Sequence, residues 1–271
     1  MRFGIVGFGL VFTLLLPTPP AAAQDQPVDL ELVLAVDVSR SMDDDEQALQ
    51  RDGYVSALTH PEVINAITSG VQGRIAITYV EWAGANSQAV ILPWRLIDGA
   101  AAAQAAAADL ARGSGTVMRR GTSISGALLF ATGLFDNSGF DGMRRAIDIS
   151  GDGPNNAGWP VSGAREAALA KGITINGLPV ILKRGGFGGL PEPDMLDAYY
   201  SDCVIGGPGA FTVPVRATAQ FADAIRRKLV LEISGTTPAV TPAAFIPVQY
   251  GGTDCMIGEK TRPRWLDQDQ R

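Results

Sequence analysis

The apolar positions fall into short runs separated by polar and glycine-rich punctuation. Residues 30–36 (LELVLAV) form a mostly apolar run that stops at Asp37, the pattern of a strand buried on both faces. Residues 74–82 (RIAITYVEW) and 88–97 (QAVILPWRLI) are rich in β-formers and lie close together, so they read as a hairpin with one antiparallel strand at an edge. Pro93 suits that edge, because it has no N–H to donate to a ladder. Residues 146–150 (AIDIS) and 173–182 (ITINGLPVIL) are further strands, and 210–215 reads as a short one. Helices are expected over about 44–59, where Pro61 ends the pattern, and over 62–68, 98–110, 123–135, 162–171 (closed by Gly172), 194–201 and 217–233. Strands alternating with helices predict an α/β architecture. Its central sheet is mostly parallel, with one antiparallel edge strand and helices on both faces. No internal repeat is visible.

The two ends differ from this pattern. Arg2, the apolar residues 5–16, the prolines at 17, 19 and 20 and the small residues 21–23 read as a signal peptide over 1–23, cleaved after Ala23. A retained anchor is the rival reading, but the apolar run falls short of the roughly 20 residues a spanning helix needs. No cysteine follows the small residues, which argues against a lipid anchor. The GIVGFG stretch at residues 4–9 has no preceding strand and lies in the expected leader, so it carries no dinucleotide-binding reading. Residues 234–271, with scattered Pro and Thr and then charges, read as an extended tail packed on or near the domain.

Composition narrows the class. The chain has 271 residues, 46% of them hydrophobic, with 32 Gly and 17 Pro, enough apolar content for a sizeable core. That excludes a collagen, a disordered acidic chain and a multi-span membrane protein. The formal net charge is −6, which disfavours nucleic acid and anionic membrane as partners. No later segment is long enough to span a bilayer. The chain therefore reads as exported, periplasmic or extracellular, a setting that permits disulfides. Cys203 and Cys255 either bridge, tying the last strand–helix region to the tail, or remain two unpaired thiols; we expect the bridge.

In open parallel sheets, functional residues gather outside the carboxyl ends of the strands. Asp37-Val38-Ser39-Arg40-Ser41 ends the first strand, Thr122 precedes a helix, and Asp152 follows residues 146–150. These supply two carboxylates and three hydroxyls, hard oxygen ligands that suit Mg²⁺ or Mn²⁺, with Ca²⁺ less preferred. The D-x-S-x-S run with a distant Thr and a distant Asp resembles the metal-ion-dependent adhesion site of von Willebrand factor A (VWA) domains. The likeness covers about residues 28–233, and within that superfamily it extends to a bacterial group of exported proteins through residues 150–153 (SGDG) and 221–225 (FADAI). The resemblance implies a Rossmann-like fold in which Ser39, Ser41 and Thr122 are hydroxyl ligands. Asp37 and Asp152 would act largely through water, and one metal position would stay open to a Glu or Asp of a partner protein. Taken singly, each residue has a structural reading: Asp37 ends a strand, the serines cap a helix, and residues 151–153 make a turn.

Other candidates read as structural. The acidic run 43–46 opens a helix, where negative charge is favoured by the helix dipole. Arg119 and Arg120 read as solvated loop charges, although they would face an acidic partner at the metal rim. Residues 183–189 (KRGGFGG) lack the Gly-Lys-Ser/Thr ending of a phosphate loop and read as a surface loop. Trp82, Trp94 and Trp159 read as core or rim packing. His60 is the only histidine, and no G-x-S-x-G elbow occurs. An enzyme would have to be a metal-assisted hydrolase drawing its base from a residue such as Asp43 or Glu81. The expected function is divalent-metal-dependent protein binding; the alternative is a structural envelope protein with a vestigial site. Oligomeric state is not legible.

Overall fold

The structure is a computed structural model that describes residues 25–40, 42, 44–113, 120–182, 194–236 and 252–261. The first 24 residues, Ser41, Asp43, Arg119 and the 183–189 stretch fall outside the described residues. So do 237–251 and 262–271 of the tail. The order is β1 (Gln26–Val28), β2 (Glu31–Asp37), α1 (Asp44–Leu58), α2 (Pro61–Thr68), β3 (Ile75–Trp82), β4 (Gln88–Ile97), α3 (Ala100–Arg112) and α4 (Ile124–Leu134). There follow β5 (Phe140–Gly142), β6 (Arg145–Gly151), α5 (Val161–Ala170), β7 (Ile173–Pro179), α6 (Asp194–Tyr199), α7 (Phe221–Ser234) and α8 (Ile257–Thr261).

The main sheet runs β4-β3-β2-β6-β7. All neighbours are parallel except β3 and β4, so β4 is the antiparallel edge strand that the hairpin pattern and Pro93 predict. Every residue of β2 is buried. The period of two divides its side chains between two cores. Leu32, Leu34 and Val36 face one layer, built from α1, α2, α3 and α7; Val33 and Ala35 face the other, built from α4, α5 and α6. Helices on both faces explain why the strand reads as a continuous apolar run.

Three details depart from the sequence expectation. Residues 26–28, for which no strand is expected, pair in parallel with β5, a three-residue contact too short to leave a pattern. Residues 210–215 are not a full strand: only Thr212 and Val215 make isolated bridges, to Gly177 and Val180. The tail is not extended throughout, because residues 257–261 form α8. The Cys203–Cys255 disulfide is formed, with a Cα–Cα distance of 5.5 Å.

The layer over β6 and β7 also contains a buried ionic cluster. Lys228 Nζ of α7 lies 2.6 Å from Asp148 Oδ1 and 2.5 Å from Glu232 Oε1, all three side chains being inaccessible. Asn176 Nδ2 donates to the same Glu232 oxygen at 3.0 Å. Burial, and then the nearby Asp148, push the Glu232 carboxyl up to about 7, with Lys228 opposing. A raised acid binds its proton more tightly in the folded state. Its stabilising protonation is therefore complete below the ordinary carboxylate range and is lost as pH rises through about 7. Urea midpoints are expected to fall between pH 5 and pH 8, and Glu232→Gln should flatten that slope. Lys228→Met leaves two buried carboxyl groups uncompensated and should cost about 3–5 kcal/mol in urea unfolding.

Candidate metal centre

The carboxyl end of β2 is bound from several sides. Asp37 is fully buried, and its Oδ1 accepts the Ser39 N–H at 2.7 Å, a local turn that folds the chain back over the strand end. Val38 N donates to Trp82 O at 2.9 Å, continuing the β2–β3 ladder past the strand. Gln50 of α1 donates its Nε2 to Asp37 O at 3.1 Å and accepts Ser150 Oγ on its Oε1 at 3.2 Å. Asp37 and Ser39 are thus held by β3, α1 and β6.

Thr122 is placed by a second set of bonds. Ser123 N donates to Ala83 O at 2.8 Å, and Ser123 Oγ caps α4 by accepting from Gly126 N at 3.1 Å. The loop after β6 clasps this turn: Thr122 N donates to Asn156 Oδ1 at 2.8 Å, and Asn156 N donates back to Thr122 O at 2.9 Å. Asn155 Oδ1 accepts Ser125 N at 3.0 Å. Gly121 supplies the positive φ of 92° that this approach requires. Asp152, at the start of the clasping loop, is half-buried and close enough to Asp37 for the two carboxylates to repel. The structure therefore gathers Asp37, Ser39, Thr122 and Asp152 at one pole; Ser41 lies outside the described residues.

The electrostatics of Asp37 set it apart. Burial first, and then Asp152, raise its pKa well above the usual carboxylate value, while the amides of Ser39 and Asp152 partly offset the rise. Other buried acids have cations: Glu31 pairs with Arg145, Glu81 with Arg51, and Asp148 and Glu232 with Lys228. Asp29 instead accepts the backbone amides of Gln72 and Arg74. Among the described residues, Asp37 has no basic side chain beside it, and its Oδ2 accepts no hydrogen bond. Space for this oxygen exists because residue 151 is glycine. A Cβ there would stand 2.9 Å from Asp37 Oδ2, 2.9 Å from the Tyr200 hydroxyl and 3.3 Å from the Trp82 ring. An orphaned buried carboxylate oxygen, neighbouring hydroxyls and a second carboxylate fit the chemistry of a small hard cation. No three His, Cys, Asp or Glu side chains cluster among the described residues.

The C-terminal segment joins this pole. Cys255 is bonded to Cys203, Asn155 Nδ2 donates to Glu259 Oε1 at 2.7 Å, and the Tyr199 hydroxyl lies 3.5 Å from Cys255 O. Gly258 sits so close to Asn155 that a Cβ would lie 2.1 Å from its carbonyl oxygen. Sequence reasoning missed Asn155, Asn156, Tyr200 and Glu259. The Asn-Asn pair after Pro154, close behind residues 150–153, is a local signal for a clasping turn; nothing local marks Tyr200 or Glu259.

The remaining candidates have plain structural settings. Glu81 is held by Arg51, and His60 caps α2 by accepting the Glu62 N–H on Nδ1 at 3.3 Å. Arg120 is exposed, as is Asp45 of the acidic run. Trp82 is buried and Trp94 packs on Phe135 and Phe140, whereas Trp159 is 75% exposed on the clasping loop.

The sequence pattern of a family described as a protein of unknown function, DUF1194, matches residues 27–237. No curated protein matches the chain in sequence. Among solved structures it is similar to the pilus adhesin SpaC from Lactobacillus rhamnosus GG in its open conformation, with a TM-score of 0.52 and 15% identity over 78% of this chain. A von Willebrand factor type A protein from Catenulispora acidiphila gives a TM-score of 0.53 and 17% identity over 76% of this chain. Proximal thread matrix protein 1 from the mussel byssus gives 0.52 and 14% over 78%. The chain spans 30%, 43% and 49% of those three structures respectively. The shared fold is the VWA fold.

Gly151→Ala forces a methyl group against Asp37 Oδ2 and the Tyr200 hydroxyl. It should destabilise the protein by about 1–3 kcal/mol, read from urea unfolding.

Proposed function

The chain belongs to the family described as a protein of unknown function, DUF1194, and has the VWA fold; from that premise we propose that it is an exported, divalent-metal-dependent protein-binding module. Ser39, Ser41 and Thr122 would supply hydroxyl ligands to Mg²⁺ or Mn²⁺, and Asp37 and Asp152 the negative charge around it. The observation that carries this reading is the buried Asp37 carboxylate, which has an unpartnered oxygen and no basic neighbour among the described residues while a second carboxylate stands close by. A bound cation answers both the desolvation and the repulsion. Bound there, the metal would act as an electrophile, and few direct anionic ligands would leave it open to a Glu or Asp of a partner protein.

The adhesin and matrix proteins that share the fold give the protein-binding reading further support. Export is supported by the leader-like residues 1–23 and by the disulfide, which persists in oxidising compartments. No helix among the described residues is long and apolar enough to cross a membrane. Of the two bases named for a metal-assisted hydrolase, Glu81 is tied to Arg51 and Asp43 lies outside the described residues.

Isothermal titration of the chelator-stripped protein with Mn²⁺ and Mg²⁺ tests the reading. Saturable binding is expected, abolished in Asp37→Ala with the circular-dichroism spectrum retained. Mn²⁺ binding that survives Asp37→Ala, or no binding by the unaltered protein, would leave the vestigial-site alternative as the better account.

A further inference from the structure

We propose that Tyr200 is a positioning residue of the metal site, presenting its hydroxyl to Asp37 Oδ2 across one water, and that the Cys203–Cys255 disulfide tunes metal affinity by holding the turn that carries it. The inference rests on the metal-site reading above.

Three observations lead to it. Tyr200 is fully buried and its hydroxyl has no hydrogen-bond partner, a state that costs free energy unless another polar group or a water faces it. Asp37 Oδ2 is an acceptor in the same condition, and the two oxygens each lie 2.9 Å from one point above Gly151. An unsatisfied donor and an unsatisfied acceptor thus flank the same glycine.

The backbone that places Tyr200 is unusual. Residues Tyr200–Val204 form a π-helical turn continuing α6, a geometry that recurs at functional sites. Ile205 N donates to Tyr200 O at 2.9 Å, and Arg165 Nε holds Ile205 O at 2.7 Å. The ring lies against Gly177 of β7, where a Cβ would stand 2.7 Å from Tyr200 Cδ1.

The covalent link lies within the same turn. Cys203 is buried in the core cluster that includes Tyr199 and Tyr200, and its bond to Cys255 recruits residues 252–261. Their Glu259 holds Asn155, whose Oδ1 in turn holds Ser125 just beyond Thr122. One crosslink therefore braces both the residue facing Asp37 and the loop that carries Thr122. Opening it frees both supports.

Mn²⁺ affinity, measured by electron paramagnetic resonance of the free ion, tests this in the oxidised protein and in four variants. These are Tyr200→Phe, Cys203→Ser with Cys255→Ser, the triple combination, and Asp37→Ala. Tyr200→Phe should weaken binding five- to tenfold while the metal-free urea midpoint stays level or rises, since the lost hydroxyl bonds to no protein group; a merely structural role would lower that midpoint. The double cysteine variant should weaken binding at least as much, and adding Tyr200→Phe to it should weaken binding no further. Tyr200→Phe within twofold of the unaltered protein, with Asp37→Ala silent, overturns the role of Tyr200 and leaves the metal site standing. Fully independent effects of the tyrosine and cysteine changes overturn the disulfide linkage. Unaltered protein that binds no Mn²⁺ overturns the site itself and this inference with it.

Discussion

The burial of β2 on both faces is the constraint on which the rest of the structure depends. A strand with no solvent side must be covered by helices above and below, and its alternate residues accordingly feed two separate cores. Such a strand brings its last side chain, Asp37, to a position with little water. The polarity of that end is then unavoidable: β3 and β6, parallel to β2, finish at the same level and deliver their following loops to the same pole.

Charge inside this molecule is managed in two ways. Where a buried carboxylate serves the fold, a basic side chain accompanies it, as Lys228 accompanies Asp148 and Glu232, or backbone amides engage both of its oxygens, as at Asp29. These pairs reduce the desolvation penalty, and each is fixed by neighbouring backbone or amide groups. Asp37 departs from both: among the described residues it has no basic neighbour, Asp152 repels it, and one of its oxygens is open. A position that breaks the local convention for satisfying charge is where a functional reading is strongest.

The loops at the pole are tied to one another and to the C-terminal segment. The Thr122 main chain donates to the Asn156 side chain and accepts from its backbone N–H, Asn155 reaches both α4 and the C-terminal segment, and the disulfide closes the circuit through Cys203. Trp159, at the exposed end of the same loop, is the part left to solvent.

The sequence by itself determined the layered α/β architecture, the antiparallel edge and the residues that could act at the pole. Periodicity reports burial, Pro93 reports an edge, and D-x-S-x-S at a strand end reports a donor set, all within a few residues of chain. The short β1–β5 pairing and the bridges at Thr212 and Val215 left no such trace, because three-residue or single-residue contacts have no period. Only the tertiary structure decided that Tyr200 and Asp37 both close on Gly151, and that Glu259 holds Asn155. Those relations join residues 49 to 163 positions apart in the chain. Long-range packing selects them, and no local pattern encodes which buried oxygen will be left without a partner.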